Sequence, residues 1–203
     1  MRVMFRVFIS CLLFSALLPA QEQPELVTLP VQVHRVRSAV HPWLQSTITE
    51  SEIQAVFTEV NRIWAPAGIR FEVKGIREMQ ALNIAPKRFF QRSRNWVKEA
   101  LPMDQLVSGV LNVCFIHDMG PNGFYYGEPV VVSEVTTSTR VRGGSEHPVG
   151  RVAAHELGHA LTLKHREDRQ CLMAPGLRGT ELNKEEIQAA RQRALQILAS
   201  SRF

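Results

Sequence analysis

The stretch "AAHELGHALTLKH", residues 153–165, gathers His155, Glu156, His159 and His165 within eleven positions. It lies at the end of a helix read from about Pro148 through Leu163. His155 and His159 are four apart and so project from one helix face, about one turn from each other. His165 is six residues further on and cannot share that face of a straight helix. It joins the other two only if the helix stops and the chain turns back. The motif therefore asks for a helix, a stop and a reversal within a dozen residues.

Two imidazoles at this spacing can reach one tetrahedral zinc. Glu156 stands beside them and is placed to touch water on the metal rather than the metal itself. The five-residue part of the pattern also arises by chance in histidine pairs that do nothing but pack or face solvent. His165 shifts the balance, because three histidine ligands leave a fourth position open, as in a catalytic zinc site and unlike a closed structural one. Glu181 or Glu185 could serve as the third ligand instead, whereas Asp168 is closer but off the register.

The chain has 203 residues, 45% hydrophobic and 21% charged, which suits one globular domain with a real core. Residues 1–20 form a signal peptide on this reading: Arg2 and Arg6 make a positive start, Val7–Leu18 an apolar run, and Pro19-Ala20 a cleavage site. The run is short of the roughly 20 residues of a membrane span, although an uncleaved anchor is the alternative. Losing Arg2 and Arg6, and no acid, lowers the formal charge of +5 by two, too little to imply a polyanion partner. Cys11 leaves as well. Cys114 and Cys171 remain, to form one bridge in an oxidising compartment or to stay as two buried thiols.

Along 21–203 the elements alternate. Residues 26–36 alternate apolar and polar positions and predict a strand. Residues 49–68 predict a helix with a Thr49–Glu52 capping box, stopped by Pro66 and Gly68. Strands follow at 69–76, 109–119 (central in its sheet) and 129–135, with a loop over 136–145. The stretch 86–101 mixes basic residues with Phe89, Phe90 and Trp96; it predicts a helix with a buried aromatic side and a solvated basic one, in preference to a nucleic-acid surface. Asn183 and Glu186 cap a last helix, with Leu182 placed to staple onto Ile187. His34 and His41 show no partner, His147 caps or faces solvent, and His117-Asp118 read as an exposed pair at a strand end, with a second metal as the alternative. The fold class is α/β (α+β), with the motif helix packed under a mixed twisted sheet.

The full motif, from His155 to His165, resembles the H-E-x-x-H-x-x-G-x-x-H pattern of metzincin zinc peptidases. Eight residues beyond, "CLMAPG" places Met173 where that family has its turn methionine, at a gap similar to the matrixin and reprolysin-like branches. "NGFYYG", 122–127, resembles the edge strand that binds peptide in such enzymes. One position departs: Thr162 stands where the family has Gly, and a β-branched residue is strained there if φ must be positive.

The resemblance implies one metzincin-like catalytic domain over 21–203, with a small C-terminal subdomain from about 166. It implies a zinc-dependent endopeptidase with His155, His159 and His165 on the metal, and the signal peptide read at 1–20 makes it secreted or periplasmic. Glu156 would take a proton from zinc-bound water and pass it to the leaving amine, while Met173 lies beneath as packing. Gly123, Phe124, Tyr125, Tyr126 and Gly127 would hold a peptide or protein substrate. No nucleic-acid partner is expected, and no stable membrane association once the signal is removed. Two alternatives are an exported metzincin-fold binding module without catalysis, and a basic protein that holds anionic surfaces through 86–101.

Overall fold

A computed structural model describes residues 25–84 and 93–200 of the chain. The signal peptide expected at 1–20 and residues 86–92 of the aromatic-basic stretch lie outside the described residues. The elements are β1 (Val27–Arg37), α1 (Glu50–Trp64), β2 (Ile69–Gln80), α2 (Arg94–Ala100), β3 (Leu111–Ile116), β4 (Gly123–Tyr125), β5 (Val130–Ser133), α3 (Pro148–Ala160) and α4 (Lys184–Ser200). No described helix is long and apolar enough to cross a membrane.

The strands form one sheet in the order β2-β1-β3-β5-β4. The first four are parallel, and β4 runs antiparallel to β5 at the edge. Parallel sheets are normally covered on both faces, and this one is. Leu29, Val31, Val33, Phe115 and Val132 face α1 and α3 with Phe57, Trp64 and Leu157. Val36, Cys114, Ile116 and Val131 face the other way with Leu44, Trp96, Val97 and Phe124. All six residues of β3 are buried, as a central strand requires. Cys114 and Cys171 fall in these two separate cores and are free thiols.

Local signals set the helix ends. Both halves of the Thr49–Glu52 capping box form, and Gly68, at φ 60°, takes the left-handed turn that releases the chain into β2. Asn183 and Glu186 exchange the equivalent bonds at the start of α4. Arg191 of α4 then donates to the carbonyls of Ala67, Gly68 and Glu25, fixing α4 against the entry to both β1 and β2.

Several boundaries differ from the sequence reading. β2 continues to Gln80, because its whole length pairs with β1. α2 starts only at Arg94, under a Ser93 cap that accepts from the backbone of Trp96. α3 ends at Ala160, short of Leu163. His34 does have a partner, Asn112 Oδ1 at 2.9 Å on the neighbouring strand. His41 bonds the carbonyl of Ile84 and packs edge-on to Trp96. His147 sits at the start of α3 without a side-chain capping bond.

Candidate active site

The end of α3 explains how His165 returns to the helix. Thr162 has φ 72°, the one positive φ outside glycine among the described residues. Its N–H donates to the carbonyl of His159, and the N–H of Leu163 to that of Gly158, both at 2.9 Å. This pair of bonds is a Schellman motif, which ends a helix with a left-handed residue. The chain then reverses, and the His165 ring comes to 4.7 Å from that of His159, centroid to centroid.

The three imidazoles meet through one kind of atom. His165 Nε2 lies 3.2 Å from Nε2 of His155 and 3.1 Å from Nε2 of His159. On the far side of its ring, His155 Nδ1 is 2.8 Å from the carbonyl of Leu172. His159 Nδ1 is likewise 2.8 Å from the carbonyl of Leu163. A carbonyl only accepts, so both Nδ1 atoms carry the proton and both Nε2 atoms present bare lone pairs. Burial first, and the neighbouring Arg151 charge second, push His155 down to about 3, which keeps it neutral. His159 and His165 are lowered too, again chiefly by burial.

Two bare lone pairs held this close to a third ring nitrogen form a pocket that a single cation can share. Ligands about 2.0–2.1 Å from a tetrahedral zinc lie roughly 3.3 Å from one another, close to the spacing found. The donor set therefore fits zinc. His155, His159 and His165 are the one such cluster among the described residues. Glu181, Glu185, Asp168 and the His117-Asp118 pair lie outside it. His117 instead faces Glu134, its Nδ1 3.5 Å from a carboxylate oxygen.

Glu156 is buried and lines the same cleft, about 590 Å³ in volume, as the three histidines. Burial pushes its carboxyl up to about 8, against the pull of Arg94 and Arg151. It is pressed against β4: a Cβ on Gly123 would stand 2.9 Å from Glu156 Oε1. Residues 123–127 all line the cleft, and among the described residues the outer edge of β4 has no strand beside it. Phe124 turns its side chain into the second core and Tyr125 packs on the first. Tyr126 is exposed.

Met173 is fully buried, with its sulfur against Gly158 between the two helix histidines. Arg151 is the residue sequence reading missed. It is buried, and its guanidinium donates to the carbonyls of Leu172, Ala174 and Gly179. It therefore grips the loop around Met173 and shares the Leu172 carbonyl with His155. The available signal was its spacing: Arg151 precedes His155 by four residues, on the same helix face.

The profile of the matrixin family (Peptidase M10) matches residues 32–198, nearly all of the described fold. The chain belongs to the matrixin family. Membership implies zinc and a metallopeptidase fold, in keeping with the histidine cluster. No curated protein matches the sequence. Among solved structures, a chain in a chaperone–substrate complex is similar at 13% identity and TM-score 0.51, over 86% of this chain and 35% of that one. This matrixin thus spans about a third of that chain's length, and the likeness is one of fold. Archaemetzincin from Methanopyrus kandleri is 17% identical over 91% of this chain and 98% of its own, at TM-score 0.45. Metalloproteinase-II from Bacteroides fragilis is 12% identical over 88% and 55%, at TM-score 0.40.

Proposed function

We propose that this matrixin is an exported zinc-dependent endopeptidase. The observation that carries the reading is the convergence of three histidine nitrogens, two of them fixed as bare lone pairs, in a cleft shared with Glu156 and a free strand edge. His155, His159 and His165 hold the metal. When bound, zinc supplies a Lewis acid that polarises a peptide carbonyl and acidifies water.

The chain's own groups do the rest. Glu156 takes a proton from the attacking water and returns it to the leaving amine. The edge of β4 aligns an extended peptide by backbone hydrogen bonds. With Phe124 and Tyr125 turned inward, that contact comes from main-chain groups and from the Tyr126 side chain. Gly123 leaves room for Glu156 beneath the peptide. Export rests on residues 1–20, and protein recovered outside the cytoplasm should begin at Gln21.

The test joins metal analysis to peptide cleavage. Purified protein should hold close to one zinc per chain, and alanine at His155, His159 or His165 should each lower occupancy sharply. Glu156→Gln should keep zinc and lose cleavage by about 10²–10⁴-fold. Zinc-loaded wild type that binds peptides and cleaves none would instead establish the non-catalytic binding module. Near-normal cleavage by Glu156→Gln would remove Glu156 from the mechanism.

A further inference from the structure

One cation at the cleft has no role in the chemistry above. Arg94, the first residue of α2, lines the cleft with Glu156 and the three histidines. It donates to the phenol oxygen of Tyr126 at 3.2 Å, and its guanidinium carbon lies 6.0 Å from the centre of that ring. These contacts fix a long side chain at the cleft's edge. One turn on, Lys98 Nζ reaches the carbonyl of Tyr126 at 3.5 Å. Both cations are exposed, and neither enters an ion pair among the described residues.

The charge balance of the cleft makes this informative. Glu156 is the single acid among its described lining residues, against Arg94 and Arg151. The guanidinium of Arg151 is engaged by three carbonyls. That of Arg94 meets, among the described residues, only a neutral phenol. Its remaining N–H groups form a planar fork, the geometry that matches a carboxylate. Beyond it, a second hollow of about 660 Å³ is bounded by Arg94, Tyr126, Trp96 and Glu99. A chain laid along β4 and leaving past Tyr126 would therefore pass over Arg94.

We propose that Arg94, backed by Lys98, reads a carboxylate on the bound peptide, so that the substrates are acidic peptides. The inference rests on the peptidase reading and names its substrate class.

The experiment uses capped peptides that differ only in carrying Glu, Gln or Lys at one position, scanned along the chain. They are tested for kcat/KM with zinc-loaded wild type, Arg94→Ala, Arg94→Glu and Arg70→Ala. Binding is measured by fluorescence anisotropy to the same proteins carrying Glu156→Gln. At one position wild type should favour Glu over Gln by roughly three- to tenfold at low salt, and less at high salt. The ratio should fall towards one in Arg94→Ala and turn in favour of Lys in Arg94→Glu. Arg70→Ala removes a charge on β2, at the opposite edge of the sheet, and should keep the wild-type ratio.

A neutral peptide with a free C-terminus, set against its amide, separates a side-chain carboxylate from a chain end. Preference for the free end alone would assign Arg94 to a terminal carboxylate. Equal treatment of Glu and Gln at every position overturns the proposal, as does a Glu preference that survives Arg94→Glu. Should no peptide be cleaved, the anisotropy ratio still decides the role of Arg94, and only the peptidase reading fails.

Discussion

His159 donates its Nδ1–H to the carbonyl of Leu163, four residues ahead and just beyond the helix end. The turn that returns His165 to the other two histidines therefore also fixes the tautomer of the histidine it starts from. That turn is held by Thr162 at φ 72°, where an L-residue with a Cβ is strained by something like 1–2 kcal/mol. Thr162→Gly removes the strain but enlarges the freedom of the unfolded chain. The expected net gain is about 0.5–1 kcal/mol in unfolding free energy, with zinc affinity equal or better. Denaturant unfolding beside zinc titration checks both. A destabilised variant with weaker zinc binding would show that the Thr162 conformation is not strained.

Arg151 should matter through the loop it holds. Replacing it by Met keeps apolar volume but removes the donors to Leu172, Ala174 and Gly179. The Leu172 carbonyl keeps His155, but the buried carbonyls of Ala174 and Gly179 are left without partners at roughly 1–3 kcal/mol each, so a loss of about 2–4 kcal/mol is expected after relaxation. The Leu172 carbonyl also orients His155, and disturbing such a supporting contact typically weakens metal binding about 10–100-fold. Arg151→Lys should restore little, since a single ammonium cannot span three carbonyls as the planar fork does. Full zinc affinity in Arg151→Met would reduce the residue to a packing role.

What could be read in advance was local. Thr49 with Glu52, and Asn183 with Glu186, are complete within four residues, and each forms as the spacing indicates. The spacing of His155 and His159, and the strain to expect at Thr162, were legible for the same reason. Long-range pairings were not. β2 extends to Gln80 because β1 lies alongside it, and the partner of His34 is on β3. Whether Cys114 and Cys171 meet depends on which face of the sheet each occupies, a property of the assembled fold. Arg151 stood in plain view on the motif helix, but its partners lie 21 to 28 residues away.

Gly158 and Met173 form a second coupled pair. A Cβ at position 158 would stand 2.7 Å from the Met173 sulfur and 3.5 Å from the Trp64 ring. Gly158→Ala gains about 1 kcal/mol of helix propensity, but overpacking costs about 1–3 kcal/mol. A net loss is expected, together with weaker zinc binding as the helix shifts from the Met173 loop. Met173→Ala alone opens a cavity, at about 2–5 kcal/mol. In the double variant the new methyl occupies part of that space, so the two losses should not add. Strict additivity in a double-mutant cycle would mean the two residues do not press on each other.

Glu134, the residue after β5, ties the segment before α1 to the sheet. Its carboxylate accepts from the hydroxyls of Ser46 and Thr47, at 2.5 and 2.7 Å, and from the backbone N–H groups of Thr47 and Ile48. Burial acts to raise its pKa, but these donors outweigh burial and hold it below the usual 4.5. A group whose pKa is lower folded than unfolded binds its proton more readily in the unfolded chain. Its stabilisation is therefore complete above the unfolded pKa and is lost as pH falls through the folded one. Glu134→Gln keeps the shape and gives up the charge. At neutral pH it should be less stable than wild type by about 1–2 kcal/mol, the difference between charged and neutral hydrogen bonds. That gap should be full above pH 4.5 and shrink steadily below it. Urea unfolding of both proteins at pH 4.5 and below measures the gap directly, and a gap that stays constant or widens over that range would show that Glu134 is not held ionised by these donors.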